Sequence, residues 1–259
     1  MRKLLFVVER DLRTFLQFKV LIIMRGIWFA AQVAFFGLIA SRMVVPELAD
    51  IYFEYYIAGV VVMTLYSSSV FIGYDLFEEA EHGVFEYLLS LPISRKELVV
   101  GRSIGGGVRS FIFVGPIIAI ALYVIGLANP VNLLIALSAL FLFAFGVSGM
   151  SITIAVSLKS GDRFDILMGV VNALIVRLST TMYPQSFVQR ASGTYAIISQ
   201  FNPVTFASDL FRWGAGIERY LTMNPMPLAA IVGLVIFFFT FTLIGVTIYE
   251  RRLEGGGWQ

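Results

Sequence analysis

In these 259 residues the side chains able to do covalent chemistry are few and wrongly spaced for it. Cysteine is absent, which removes thiolate nucleophiles, disulfides and cysteine-bound metal together. The one histidine, His82, belongs to no His-Glu-x-x-His pair, and Ser67, Ser68 and Ser69 have no histidine in their apolar run to take a proton. A Gly-x-x-x-x-Gly-Lys-Ser/Thr phosphate loop is missing as well, so the chain itself is not read as an enzyme. What it carries instead is a recognition pattern. Asp75, Glu78, Glu79, Glu81 and Glu86 crowd one stretch in which Leu76, Phe77, Phe85, Leu88 and Leu89 recur at helical spacing, and Pro92, Ser94, Arg95 and Lys96 follow. Charge around an apolar stripe, closed by a basic turn, is the chemistry of protein docking.

The elements that must position this stretch are membrane helices. Hydrophobic residues make up 58% of the chain and charged residues 14%, against about 25% charged in soluble domains, so part of the apolar surface must face lipid. The sequence predicts an all-α polytopic membrane protein, a single transmembrane domain over 1–259 with six transmembrane helices. Apolar runs place spans at 26–40 (extending to 45), 51–74, 104–127, 131–158 and 228–249. A further run, 166–176, is short before Arg177 and reads as a tilted or re-entrant helix unless it continues to Met182. With an even number of spans, 14 of the 19 Lys and Arg fall on one side: those before the first span, Arg95, Lys96, Arg102, Arg109, Lys159, Arg163, Arg251 and Arg252. The positive-inside rule makes that side cytoplasmic and puts both termini there. Because the basic residues are scattered over helix ends, no nucleic-acid partner is expected. The third, fourth and sixth spans hold no ionisable residue in their interiors, so a proton or sodium relay is not expected either.

Three segments lie outside the spans. Residues 1–19 place Leu5, Val8, Leu12, Phe15 and Leu16 at helical spacing with Arg2, Lys3, Arg10 and Arg13 elsewhere, an amphipathic helix suited to the anionic membrane surface. Residues 75–103 read as two short helices at an angle, broken at Pro92 and restarted by Ser94 with Glu97 three positions later, a capping box. Residues 179–227, on the outer side, contain a further amphipathic helix with Phe206, Leu210, Phe211 and Trp213 on it, a lid or a substrate-contacting element. Within the second span, Thr64, Tyr66, Ser67 and Ser68 fit either a helix interface or a polar permeation path.

Glu81-His82-Gly83, then the stretch from Glu86 to Leu98 and Gly101-Arg102, resemble the Glu-x-Gly-Thr-x-Glu-x-Leu-Leu-x-x-Pro-Ile-Ser-Arg-x-Glu-Leu-x-x-Gly-Lys stretch of ABC-2 type permeases, the membrane subunits of type-2 ATP-binding-cassette exporters. Val84 stands where Thr is common and Arg102 where Lys is usual. Asn202-Pro203, followed by Asp209 and Arg212, is similar to the Asn-Pro-to-Arg stretch which that family carries before its last span. The resemblance implies a plasma-membrane permease subunit that pairs with a second copy or a paralogue and with ATPase subunits. Those subunits would bind ATP and Mg, this chain holding no cofactor. It also implies that Glu78, Glu79, Glu81, Gly83, Glu86, Leu88, Leu89, Pro92 and Arg95 form a coupling helix seated on the ATPase, and that the short 166–182 segment with the outer helices is a re-entrant arrangement. A rival expectation from another class is a non-transporting membrane scaffold that recruits a cytoplasmic partner through the same protrusion.

Overall fold

A computed structural model of the protein describes residues 2–17, 19–32, 39, 42–44, 46–126 and 129–253, and every regular element among them is an α-helix. In chain order these are α1 (Arg2–Gln17), α2 (Lys19–Gln32), α3 (Pro46–Glu81), α4 (Val84–Ser90), α5 (Arg95–Ile125), α6 (Pro130–Leu158), α7 (Gly161–Arg177), α8 (Gln185–Ala191), α9 (Gly193–Gln200), α10 (Pro203–Ala215) and α11 (Leu228–Leu253). Local chemistry sets their ends. Ser94 accepts from the backbone of Glu97 while the Glu97 carboxylate accepts from that of Ser94, so the expected capping box starts α5. Asn129 caps α6 through the amides of Val131 and Asn132, with Pro130 in the first turn where its missing N–H costs nothing.

Among the described residues, four helices are long and apolar enough to cross a bilayer: Ile51–Glu81 within α3, Arg95–Ile125, Pro130–Leu158 and Leu228–Ile248. At the two extremes, burial runs opposite to hydropathy. The least apolar, in α3, has 83% of its window buried, and the most apolar, in α11, has 11%. A helix wrapped by protein can carry Tyr, Ser and Glu, whereas one facing lipid must be apolar on nearly every side. Of the expected first span, 26–45, residues 26–32 belong to α2, and 33–38, 40, 41 and 45 lie outside the described residues. The doubtful segment is a 17-residue helix, α7, starting earlier than the apolar run and ending at Arg177 without reaching Met182. At 1.5 Å per residue it is about 25 Å long, a little short of a ~30 Å hydrocarbon core.

α6 is the hub, packed against α3, α5, α10 and α11. Small residues let these backbones approach. A Cβ on Gly73 of α3 would run into Ser151 of α6, one on Gly107 of α5 into the Phe145 ring, and one on Gly146 would come within 2.9 Å of Phe237 of α11. Ser148 and Ser151 donate across this contact to the carbonyls of Ser69 and Val70, at 3.2 and 2.6 Å.

Two expected features come out differently. The 75–103 region is not a pair of short helices. Its acidic first part is the end of α3, its middle is the seven-residue α4, and the capped helix after Pro92 is the full-length α5. Apolar burial continues straight through both boundaries, Leu76 and Leu98 each being buried, so nothing stops the long helices where their apolar windows end. α1, in turn, packs along α5 through Val7, Asp11 and Phe15, while Leu5, Phe6 and Leu16 are exposed. Its apolar residues thus divide between a protein contact and an outward edge.

Candidate functional site at the elbow

The elbow joining α3 to α5 is built by a glycine and a ladder of ion pairs. Gly83 closes α3 with φ +67°, a left-handed conformation that an L side chain rarely adopts, and swings the chain into α4. Tyr87 on α4 is 64% exposed, and Glu78, Glu81, His82 and Pro92 are exposed around it, while Leu88 is buried and pins α4 to the body of the protein. Glu79 points inward. Its Oε1 accepts from Arg10 Nη2 of α1 at 2.6 Å and its Oε2 from the buried Arg102 of α5. One turn earlier Asp75 accepts from Arg109 of α5, whose guanidinium lies 5.8 Å from the Phe15 ring of α1. A cavity of about 400 Å³ runs beside the ladder, lined by Asp11, Thr14, Phe71, Asp75, Glu79 and Arg109 among others.

Asp11 completes this cluster from α1. It is buried against Gly105, one oxygen 3.6 Å from Arg10 and the other without a hydrogen-bond partner. Burial pushes its pKa up to about 6; Arg102 is the largest influence pulling it back, Glu79 adds to the rise, and Arg10 and Arg109 oppose it.

The expected coupling residues therefore separate. Glu78, Glu81, Gly83 and Pro92 lie exposed at the elbow and Arg95 is half-buried beside them, but Glu79 and Leu88 are turned into this chain and are spent on internal contacts. The side chains of Glu86 and Leu89 lie outside the described residues. Sequence reasoning missed Asp11, and treated Arg10, Arg102 and Arg109 as boundary charges. The signal was present in the spacing: Asp75 and Glu79, four apart, share one face of a helix, as do Arg102 and Arg109, seven apart.

The other end of α3 carries a second polar centre. From Tyr55 to Glu79 is about 36 Å along the helix. Arg212 of α10 is fully buried, its guanidinium 3.4 Å from the centroid of the Tyr55 ring, donating to the carbonyls of Tyr55 and Thr181. Asp209 sits 3.4 Å from it and also accepts from the amides of Thr222 and Met223, at 2.6 and 2.9 Å. Asn202 caps α10 at Val204 and donates to the Ile175 carbonyl of α7, with Pro203 opening the helix. Asp209 and Arg212 are thus joined in one buried knot near the end of α10, whereas Asn202 and Pro203 lie at the start of that helix, against α7.

Of the four residues expected at a helix interface or a path, Thr64 donates to the Val60 carbonyl within α3, Tyr66 donates to Asn172 Oδ1 of α7 at 2.8 Å, and Ser68 is buried. Ser67 alone of the four is exposed. Among the described residues no three His, Asp or Glu side chains converge as metal ligands.

A chain with this helical membrane architecture has an elbow, an inward ion ladder and a capped Asn-Pro helix at known places, and residues 2–215 match the family described as ABC-2 type transporter. The chain belongs to that family. The match takes in α1 through α10, so both the elbow and the Arg212 knot lie within it and α11 beyond it. The ABC-2 chain is also similar to a Cyanophora paradoxa protein whose printed description is "Putative transport permease ycf38", 23% identical over 218 residues that cover 81% of this chain and 74% of the relative.

Proposed function

We propose that this ABC-2 chain is the membrane-spanning permease subunit of an ATP-binding-cassette exporter, moving a substrate outward with energy from ATP hydrolysed by separate nucleotide-binding subunits. It would do so with six spans, both termini in the cytoplasm, in the cell membrane and paired with a second copy or a paralogue. The observation that carries this reading is the elbow. A long buried helix runs on beyond its apolar window, turns at Gly83 and displays α4 with an exposed Tyr87. An exposed aromatic side chain is a fitting anchor for a groove on another protein. A rigid α3 would carry motion of that anchor into the spans. The family match and the permease-described relative support the same reading.

Co-expression with an ATP-binding-cassette ATPase subunit from the same genome tests this directly. A stable complex with ATP hydrolysis above that of the ATPase alone is expected, and Tyr87→Glu should weaken the complex by about tenfold while leaving membrane insertion intact. No complex and no stimulation across several lipid compositions would overturn the reading. A complex that forms without any stimulation would favour the scaffold instead.

A further inference from the structure

We infer that Glu79 is a positioning residue that binds α1, the end of α3 and the start of α5 into one moving unit, so that displacement of the elbow reaches the N-terminal helix. This rests on the permease reading above. α1 packs along α5, and the guanidinium of Arg10 reaches from it to the Glu79 carboxylate of α3. The same carboxylate holds Arg102, so one residue near the end of α3 grips two other helices, one through each oxygen. Asp75 and Arg109 add a second rung one turn away, with Phe15 of α1 beneath the Arg109 guanidinium. Beside both rungs lies the 400 Å³ cavity, so close-packed apolar side chains do not fill the space between α1 and α3 there. The connection is made by charge, and charge-assisted contacts hold a geometry that a void would let drift.

Glu79 lies four residues before Gly83, with α4 beyond it. A push on α4 is delivered to the end of α3 and, through Glu79, to α1 and α5 at once. Without the clasp, α3 moves away from α1, and α1, held on one side only, loosens. Docking of an ATPase would survive, because the exposed residues of the elbow are untouched; transmission would not.

The test uses the full chain in complex with its ATPase in lipid nanodiscs. Arg10→Gln removes the α1 grip and leaves Glu79 with Arg102; Arg10→Lys keeps the charge; Glu79→Gln releases both partners. In the wild type, hydrogen exchange over residues 2–17 is expected to be equally slow in nucleotide-free and ATP-trapped states. In Arg10→Gln and Glu79→Gln it should quicken only when ATP is trapped. Stimulated hydrolysis should fall about fivefold or more with ATPase affinity kept within about twofold, and Arg10→Lys should restore most of it. If Glu79→Gln fails to fold, Arg10→Gln carries the same comparison alone. Unchanged stimulation in Arg10→Gln, or exchange in α1 that ignores nucleotide in every variant, overturns the clasp. A wild-type complex that neither forms nor is stimulated strikes instead at the permease reading.

Discussion

Two residues bury charge for different ends. Arg212 is stacked on a ring, bonded to two backbone carbonyls and next to Asp209, all at no exposure, so its charge is surrounded by acceptors that have no other donor of its shape. Arg212→Met should therefore destabilise the chain by about 3–5 kcal/mol, because it leaves the Asp209 carboxylate and the Thr181 carbonyl inside without the cation. Thermal unfolding in detergent measures this, and Arg212→Lys should recover only part of the loss. Asp11 is the opposite case, a carboxylate whose environment resists its charge. Its pKa of about 6 in the fold stands against an ordinary value of 3.8. Between about pH 4 and 6 the folded chain holds a proton that the unfolded chain releases, so this group's contribution to stability is fully present below about pH 4 and is lost as pH rises through 6. Two pKa units correspond to roughly 3 kcal/mol. Asp11→Asn, neutral throughout, should unfold at higher temperature than the native chain at pH 7.5, with the gap closing towards pH 4. A gap that does not change with pH would show that Asp11 does not titrate in this range.

At the scale of elements, close helix approach depends on which glycine is tested. Gly59 of α3 packs on the backbone carbonyl of Thr181, in the turn after α7, and a methyl there meets an atom that cannot rotate away. Gly115 of α5 has nothing within 4 Å of the same added carbon. Gly59→Ala should cost about 1–3 kcal/mol through backbone displacement, and Gly115→Ala should cost nothing, since alanine favours helix. Paired unfolding curves of the two variants check this, and equal stability would show that the α3–turn contact is not tight. The capping box at Ser94 and the Asn129-Pro130 start of α6 were legible in the sequence, because a cap is chemistry among residues three apart. The length of α3 was not. Its apolar window ends near Tyr74, yet the helix runs to Glu81 because Glu79 finds arginines on two other helices, and no local pattern announces partners at positions 10 and 102.

For the whole molecule, the charge bias and the helices make a joint prediction about sidedness. The chain has no cysteine, so single cysteines report without background. Tyr87→Cys at the elbow and Glu218→Cys after α10 lie at exposed sites that the proposed topology puts on opposite faces of the membrane. In intact cells a membrane-impermeant maleimide should label the residue-218 variant and spare the residue-87 variant, and inside-out vesicles should reverse the pattern. Labelling of both from one side would remove the even span count on which the inside placement of both termini rests.

The sequence by itself determined that this chain is an apolar helical protein of membrane-spanning type, where most of its long helices lie, and that residues 81–102 and 202–212 resemble stretches of the ABC-2 family. Those are properties of composition, periodicity and short spacing, and each is written locally. Tertiary structure decided which charged residues stay exposed and which face their own chain. Glu78 and Glu79 are adjacent and chemically alike, but a helix turns about 100° per residue, so one is exposed and the other is clasped between α1 and α5. Only the packing of α1 against α5 brings Arg10, Asp11, Arg102 and Arg109 to the same place, and that convergence pairs Asp75 and Glu79 inward while Glu78 and Glu81 stay exposed.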